Sequence, residues 1–163
     1  MAKQKKQTRR DVSPDHHVAR YCNPQRVIRD PVTKQVIGVF PQAFELRTAR
    51  KETYVSAYCM ETFSADDLKV QFEGVLAALR RKLTVAQAAV LARLHAGLVV
   101  EAGVRCSLQI RVRDRSSGAN PGYCGIEGMP PDNTNRELLQ LFAAECCKDV
   151  RSVEDIEARA DAE

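Results

Sequence analysis

Residues 53–82 read Thr53-Tyr54-Val55-Ser56-Ala57-Tyr58-Cys59, then Met60-Glu61-Thr62-Phe63, then Ser64-Ala65-Asp66-Asp67-Leu68-Lys69-Val70-Gln71-Phe72-Glu73-Gly74-Val75-Leu76-Ala77-Ala78-Leu79-Arg80-Arg81-Lys82. The first seven are rich in strand formers, with Thr53, Val55, Ala57 and Cys59 on one face and Tyr54, Ser56 and Tyr58 on the other. The period then changes. Leu68, Phe72, Val75, Leu76 and Leu79 recur as one apolar helical stripe. Ser64 is placed to cap that helix, Asp66 and Asp67 sit in its first turn, and Arg80, Arg81 and Lys82 fill its last. A strand followed by a one-sided helix predicts an α+β domain in which helices lie on a sheet.

Working back, His17–Cys22 is a short strand ended by Asn23-Pro24. Arg26–Arg29 and Val36–Phe40, joined by the turn Asp30-Pro31-Val32-Thr33, predict a hairpin. Working forward, residues 84–103 fit either a long helix or a buried strand over Ala89–Leu94 followed by a helix, because periodicity does not separate the two. Leu108, Ile110 and Val112 alternate with Gln109, Arg111 and Arg113 as a further strand. Ser116–Asp132 then reads as a long loop with four glycines and three prolines. Thr134-Asn135-Arg136-Glu137 opens a last helix as a capping box, with Leu138, Leu141, Phe142 and Val150 as its apolar face. The expected fold is a mostly antiparallel sheet of about five strands with two main helices on one face. The expected division is a disordered basic arm over 1–13, one domain over 14–150, and a frayed acidic tail over 151–163.

The whole chain has 163 residues and a net charge of +4, with 44% hydrophobic and 28% charged residues. That balance is globular. Lys3, Lys5, Lys6, Arg9 and Arg10 account for the positive excess, so the remainder is near neutral and a poor polyanion binder. Nucleic acid is expected only through that arm, which has no aromatic residue for base stacking. No apolar run reaches the ~18 residues of a membrane span, and Lys3–Lys6 is not followed by an apolar stretch. The expectation is a cytoplasmic protein without a membrane partner, and the oligomeric state stays open.

Cys22, Cys59, Cys106, Cys124, Cys146 and Cys147 are scattered, which predicts reduced thiols. There is no CxxC pair, and Cys146 and Cys147 are adjacent, so no metal site is expected. His17 and Cys22 are spaced for a shared ion only if Cys59 meets them in space. Among other groups, His16 and His17 suit proton transfer or hydrogen bonding, and His95 reads as a hydrogen-bonded core residue. Glu61, just after its strand, is a candidate acid or base. The loop 116–132 offers Tyr123, Cys124 and Glu127 as a binding surface among glycines that permit close approach. It is not a phosphate loop, since no Lys-Ser or Lys-Thr follows.

His16–Cys22, Thr53–Phe63 and Asn120–Ile126 together resemble small bacterial proteins that carry no assigned activity. The chain is also similar to ADP-ribosyltransferase-like folds, which often place a His or Arg on the first strand, a Ser or Tyr on the second and a Glu later. That resemblance implies NAD as cofactor, with His17, Ser56 or Tyr58, and Glu127 around one cleft. The residues themselves point to no catalytic constellation or cofactor. The leading expectation is therefore an accessory protein that binds a protein partner, and the alternative is the small NAD-using transferase.

Overall fold

In a computed structural model, residues 9–161 are described, and the lysines of the basic arm lie outside them. The chain is α+β. Its main sheet is formed by β1 (His17–Cys22), β4 (Tyr54–Cys59), β5 (Val90–His95), β6 (Arg111–Asp114), β7 (Tyr123–Glu127) and β8 (Cys147–Ser152). These pair antiparallel in the order β6-β7-β4-β1-β5-β8, while β2 (Val27–Arg29) and β3 (Val36–Val39) form a separate hairpin. The helices are α1 (Leu68–Arg80), α2 (Ala96–Arg105), α3 (Arg136–Leu141) and α4 (Val153–Asp161).

The expected single helical layer is replaced by two. Strand residues alternate sides, so Val18, Val90 and Ala92 pack with Ala96, Val99, Leu138 and Phe142 of the α2–α3 side. Ala19 and Leu91 pack with Phe72, Val75 and Leu76 of α1 and with Val153 and Ile156 of α4. A strand covered on both faces reads as a continuous apolar run instead of alternating, which is why periodicity does not separate strand from helix at Val90-Leu91-Ala92. In residues 84–103, the strand-then-helix alternative is the one adopted.

Among the described residues the main sheet has six strands instead of about five: β7 comes from the expected loop and β8 from the expected end of the last helix and the tail, while β2 and β3 form a sheet of their own. Residues 123–127 lie inside the expected loop, yet β7 pairs with β4 from Tyr58↔Tyr123 to Tyr54↔Glu127 and with β6 on its other side. Its glycines answer to local crowding. A Cβ on Gly125 would fall 2.7 Å from the Tyr54 ring, and Gly128 has φ +90 with Gln109 O only 2.2 Å from its Cβ position. The acidic tail is also ordered: β8 pairs with β5, and Val153 and Ile156 of α4 are buried. Val150 belongs to β8, since the last expected helix stops early, α3 passing through a π-turn at Phe142–Cys146.

Two caps differ from expectation. Asp67 accepts from Val70 N–H to start α1, with Ser64 Oγ accepting from Asp67 N–H one turn earlier. Asn135, not Thr134, caps α3 through Leu138 N–H. At the other terminus, residues expected in the disordered arm lie along β6: Val12 N–H donates to Val112 O at 2.8 Å, and Asp114 N–H donates to Arg10 O at 2.8 Å. Among the described residues no helix is long and apolar enough to cross a membrane.

Candidate functional site

The antiparallel order brings three strand ends to one place. The first residue of β1, His17, sits opposite His95 at the end of β5, and Val18 sits opposite Cys59 at the end of β4. After Cys59 the chain makes a 3-10 turn over Met60–Thr62, anchored by fully buried Met60. That turn folds Glu61 back beneath β1. Its carboxylate accepts the backbone N–H of His17, with N···O distances of 3.0 and 2.9 Å, and its Oε1 lies 2.8 Å from His17 Nδ1.

A carboxylate acceptor places the imidazole proton on Nδ1 and leaves the Nε2 lone pair free. Burial lowers the His17 pKa, against the raising effect of the Glu61 hydrogen bond, and the charge of Arg93 lowers it further. His95 closes the other side. Its ring meets that of His17 edge-on at 5.1 Å, and its Nδ1 accepts from Leu98 N–H at 3.2 Å, capping α2. The His95 proton is thereby assigned to Nε2.

His17 and Glu61 open on a pocket of about 500 Å³ that also contains Asp15, His16, Asp66, Leu68, Gln71 and Arg93. Gln71 is only 3% exposed; its Nε2 donates to Ser64 O at 2.9 Å, while its Oε1 has no hydrogen-bond partner among the described residues. Arg93 Nε is likewise buried without a partner. A buried polar atom left unpaired costs about 1–3 kcal/mol, and two such atoms belong to residues of this pocket. On the far side of His16, Cys59 Sγ lies 3.8 Å from His16 Nδ1 and 3.9 Å from Glu61 Oε2. Burial pushes the Cys59 thiol pKa up.

The sequence candidates are distributed unevenly over this geometry. His16, His17, Glu61 and His95 come together. Tyr58 is buried and its hydroxyl donates to Asn120 Oδ1 at 2.8 Å. Glu127 lies level with Tyr54, six strand steps from the rung of His17, which at ~3.3 Å per residue is roughly 20 Å along the sheet. It faces Arg115 at 3.6 Å and Arg113 at 4.0 Å. His17, Tyr58 and Glu127 therefore do not line one cleft. Tyr123 is half-buried with its hydroxyl 2.9 Å from that of Tyr54, and Cys124 is fully buried, so neither stands on an open loop.

Two site residues escaped the sequence reading. Gln71 reads as the polar flank of the α1 stripe, although its spacing of three from Leu68 places it on the buried edge. Arg93 reads as an interruption of an apolar run, yet in a strand period it points with Leu91 towards the α1 face. No family model, curated protein or solved structure matches this chain.

Proposed function

We propose that the protein is a small-molecule enzyme of the general-base class, with its site in the pocket between the ends of β1, β4 and β5. The observation that carries this reading is the double grip of Glu61 on His17, which holds the imidazole in one tautomer and one orientation. Nε2 of His17 takes a proton from the ligand or from a water beside it. Arg93 neutralises an anionic group of the ligand, and Gln71 Oε1 accepts from a ligand N–H or O–H. A general base held this way contributes on the order of 10²–10⁴-fold to a rate.

The test is a thermal-shift panel of small carboxylates and phosphate esters run on wild type, Arg93→Gln and Gln71→Leu. Stabilisation of wild type by one class, lost in both variants and retained in Tyr54→Phe, is expected. A panel in which no member shifts wild type, or in which Arg93→Gln responds unchanged, defeats the reading.

A second reading, an accessory protein with a protein partner, is favoured by a separate feature. An apolar hollow of about 780 Å³ lies between α2 and β6, with Val104 70% exposed at its margin. A photo-crosslinking residue at position 104 should then capture a partner that one at Val32, also exposed, does not. Equal capture from both positions removes the support.

A further inference from the structure

The geometry points to a divalent-cation site of the zinc class, formed by His16, Cys59 and Glu61, which the spacing of the cysteines did not suggest. Their ligating atoms all lie within 4.8 Å of one another. Cys59 Sγ is 3.8 Å from His16 Nδ1 and 3.9 Å from Glu61 Oε2. Around a tetrahedral zinc, with metal–sulfur near 2.3 Å and metal–nitrogen or –oxygen near 2.0–2.2 Å, neighbouring ligand atoms stand roughly 3.3–3.6 Å apart. The two sulfur separations are thus a few tenths of an ångström wider than in a loaded site, and the limit of 4.8 Å on the third leaves it at most roughly 1.5 Å wider.

The donor set selects the ion. A thiolate, an imidazole and one carboxylate oxygen suit zinc or cobalt, whereas magnesium and calcium prefer all-oxygen cages. The carboxylate is already held in place: Oε1 of Glu61 faces His17 Nδ1, and the His17 backbone N–H reaches both oxygens. Such outer partners orient metal ligands in built sites. Cys59 enters as a thiol, and binding exchanges its proton for the cation, with the proton passing to solvent.

Three protein ligands leave one coordination position open, the pattern of a catalytic centre and not of a structural one. His16 borders two spaces, the polar pocket that contains Glu61 and a second hollow of about 410 Å³ that contains Cys59, Asp114 and Ser117. The unpaired Oε1 of buried Gln71 is an independent sign that the first of these spaces receives a ligand. The cation site does not rest on the general-base reading, since its three ligands remain whether or not His17 moves a proton.

The experiment is calorimetric titration of the reduced, chelator-treated full chain with zinc, cobalt and magnesium chlorides. One zinc per chain is expected, with magnesium uptake at least a hundredfold weaker. Cys59→Ser and His16→Ala should each weaken zinc binding at least tenfold, while Cys106→Ser, a thiol remote from the cluster, leaves it within threefold. The cobalt form should show a near-ultraviolet thiolate-to-cobalt absorption that Cys59→Ser abolishes. Should His16→Ala fail to fold, His16→Gln with far-ultraviolet circular dichroism replaces it. No stoichiometric zinc, or zinc binding undiminished in Cys59→Ser, overturns the site. Arg93→Gln separates the two proposals, because it removes small-anion binding under the first and leaves zinc uptake unchanged under the second.

Discussion

Glu61 and His17, 44 positions apart, are joined by three contacts of 3.0 Å or less, two to the backbone N–H of His17 and one to its ring. The side chains are 13% and 18% exposed, so solvent does little to replace the contacts. Removing a charged acceptor from a partly buried N–H costs about 1.5–3 kcal/mol. Glu61→Ala is expected to lose about 2 kcal/mol in urea unfolding, and Glu61→Gln about half as much, since its amide oxygen still accepts one bond. Long-range proton–nitrogen correlation spectra should show His17 protonated on Nδ1 in wild type and mixed in Glu61→Gln. An unmixed Nε2–H tautomer in wild type contradicts the orientation assigned here.

Arg20 completes the sheet where β1 and β4 separate. The backbone register between them spans Val18↔Cys59 and Ala19↔Tyr58. Beyond it, Nη1 of Arg20 donates to Ser56 O and Ser56 Oγ at 2.9 Å, and Nε donates to Ala43 O at 3.1 Å, with the residue 8% exposed. Arg20→Met leaves two buried carbonyls unpaired, so a loss of about 3 kcal/mol or more is expected in urea unfolding. Arg20→Lys recovers only part, because an ammonium cannot reproduce the fork. A loss below 1 kcal/mol for Arg20→Met would show that water reaches those carbonyls.

The C-terminal helix is a structural cover. Val153 and Ile156 are 0% and 3% exposed, Val153 N–H donates to Ala89 O at 3.0 Å, and Glu157 pairs with Arg80. Burying each aliphatic side chain is worth about 1.5–3 kcal/mol. Ending the chain at Ser152 should therefore cost about 4 kcal/mol and uncover Phe72 and Leu76 of α1. A large fall in melting temperature together with new binding of a hydrophobic dye is the expected readout. An unchanged melting temperature would return residues 153–161 to the status of a frayed tail.

Cys22 links stability to alkaline pH. It is 1% exposed, and burial pushes its thiol up to about 12. An unfolded thiol ionises near 8.5. The folded form thus holds a proton that the unfolded form releases, so the stabilisation is complete below about pH 8.5 and is lost as pH rises towards 12. Between these limits the slope is about 1.4 kcal/mol per pH unit for this one group. Urea midpoints at pH 8, 9.5 and 10.5 should fall more steeply in wild type than in Cys22→Ala. Parallel lines would show that Cys22 ionises without unfolding.

What the sequence determined by itself was local. The alternation of residues 53–59, the apolar stripe from Leu68 to Leu79, the strand at His17–Cys22 and the hairpin around Asp30-Pro31 each carry their period and punctuation within a dozen residues. Those four regions adopt the expected element types. The candidates His16, His17 and Glu61 were legible one at a time, as polar groups at strand ends.

Tertiary structure alone decided the rest. β7 is a glycine-rich segment that becomes a strand because β4 and β6 satisfy its backbone on both sides, an energy invisible in its own residues. β8 and α4 follow from the open edge of β5 and the uncovered face of α1. The meeting of residues 16–17, 59–61 and 93–95 is a consequence of register. One step of slippage in β1 or β4 would turn these side chains to the opposite face, and only the packed core on both sides of the sheet forbids that step.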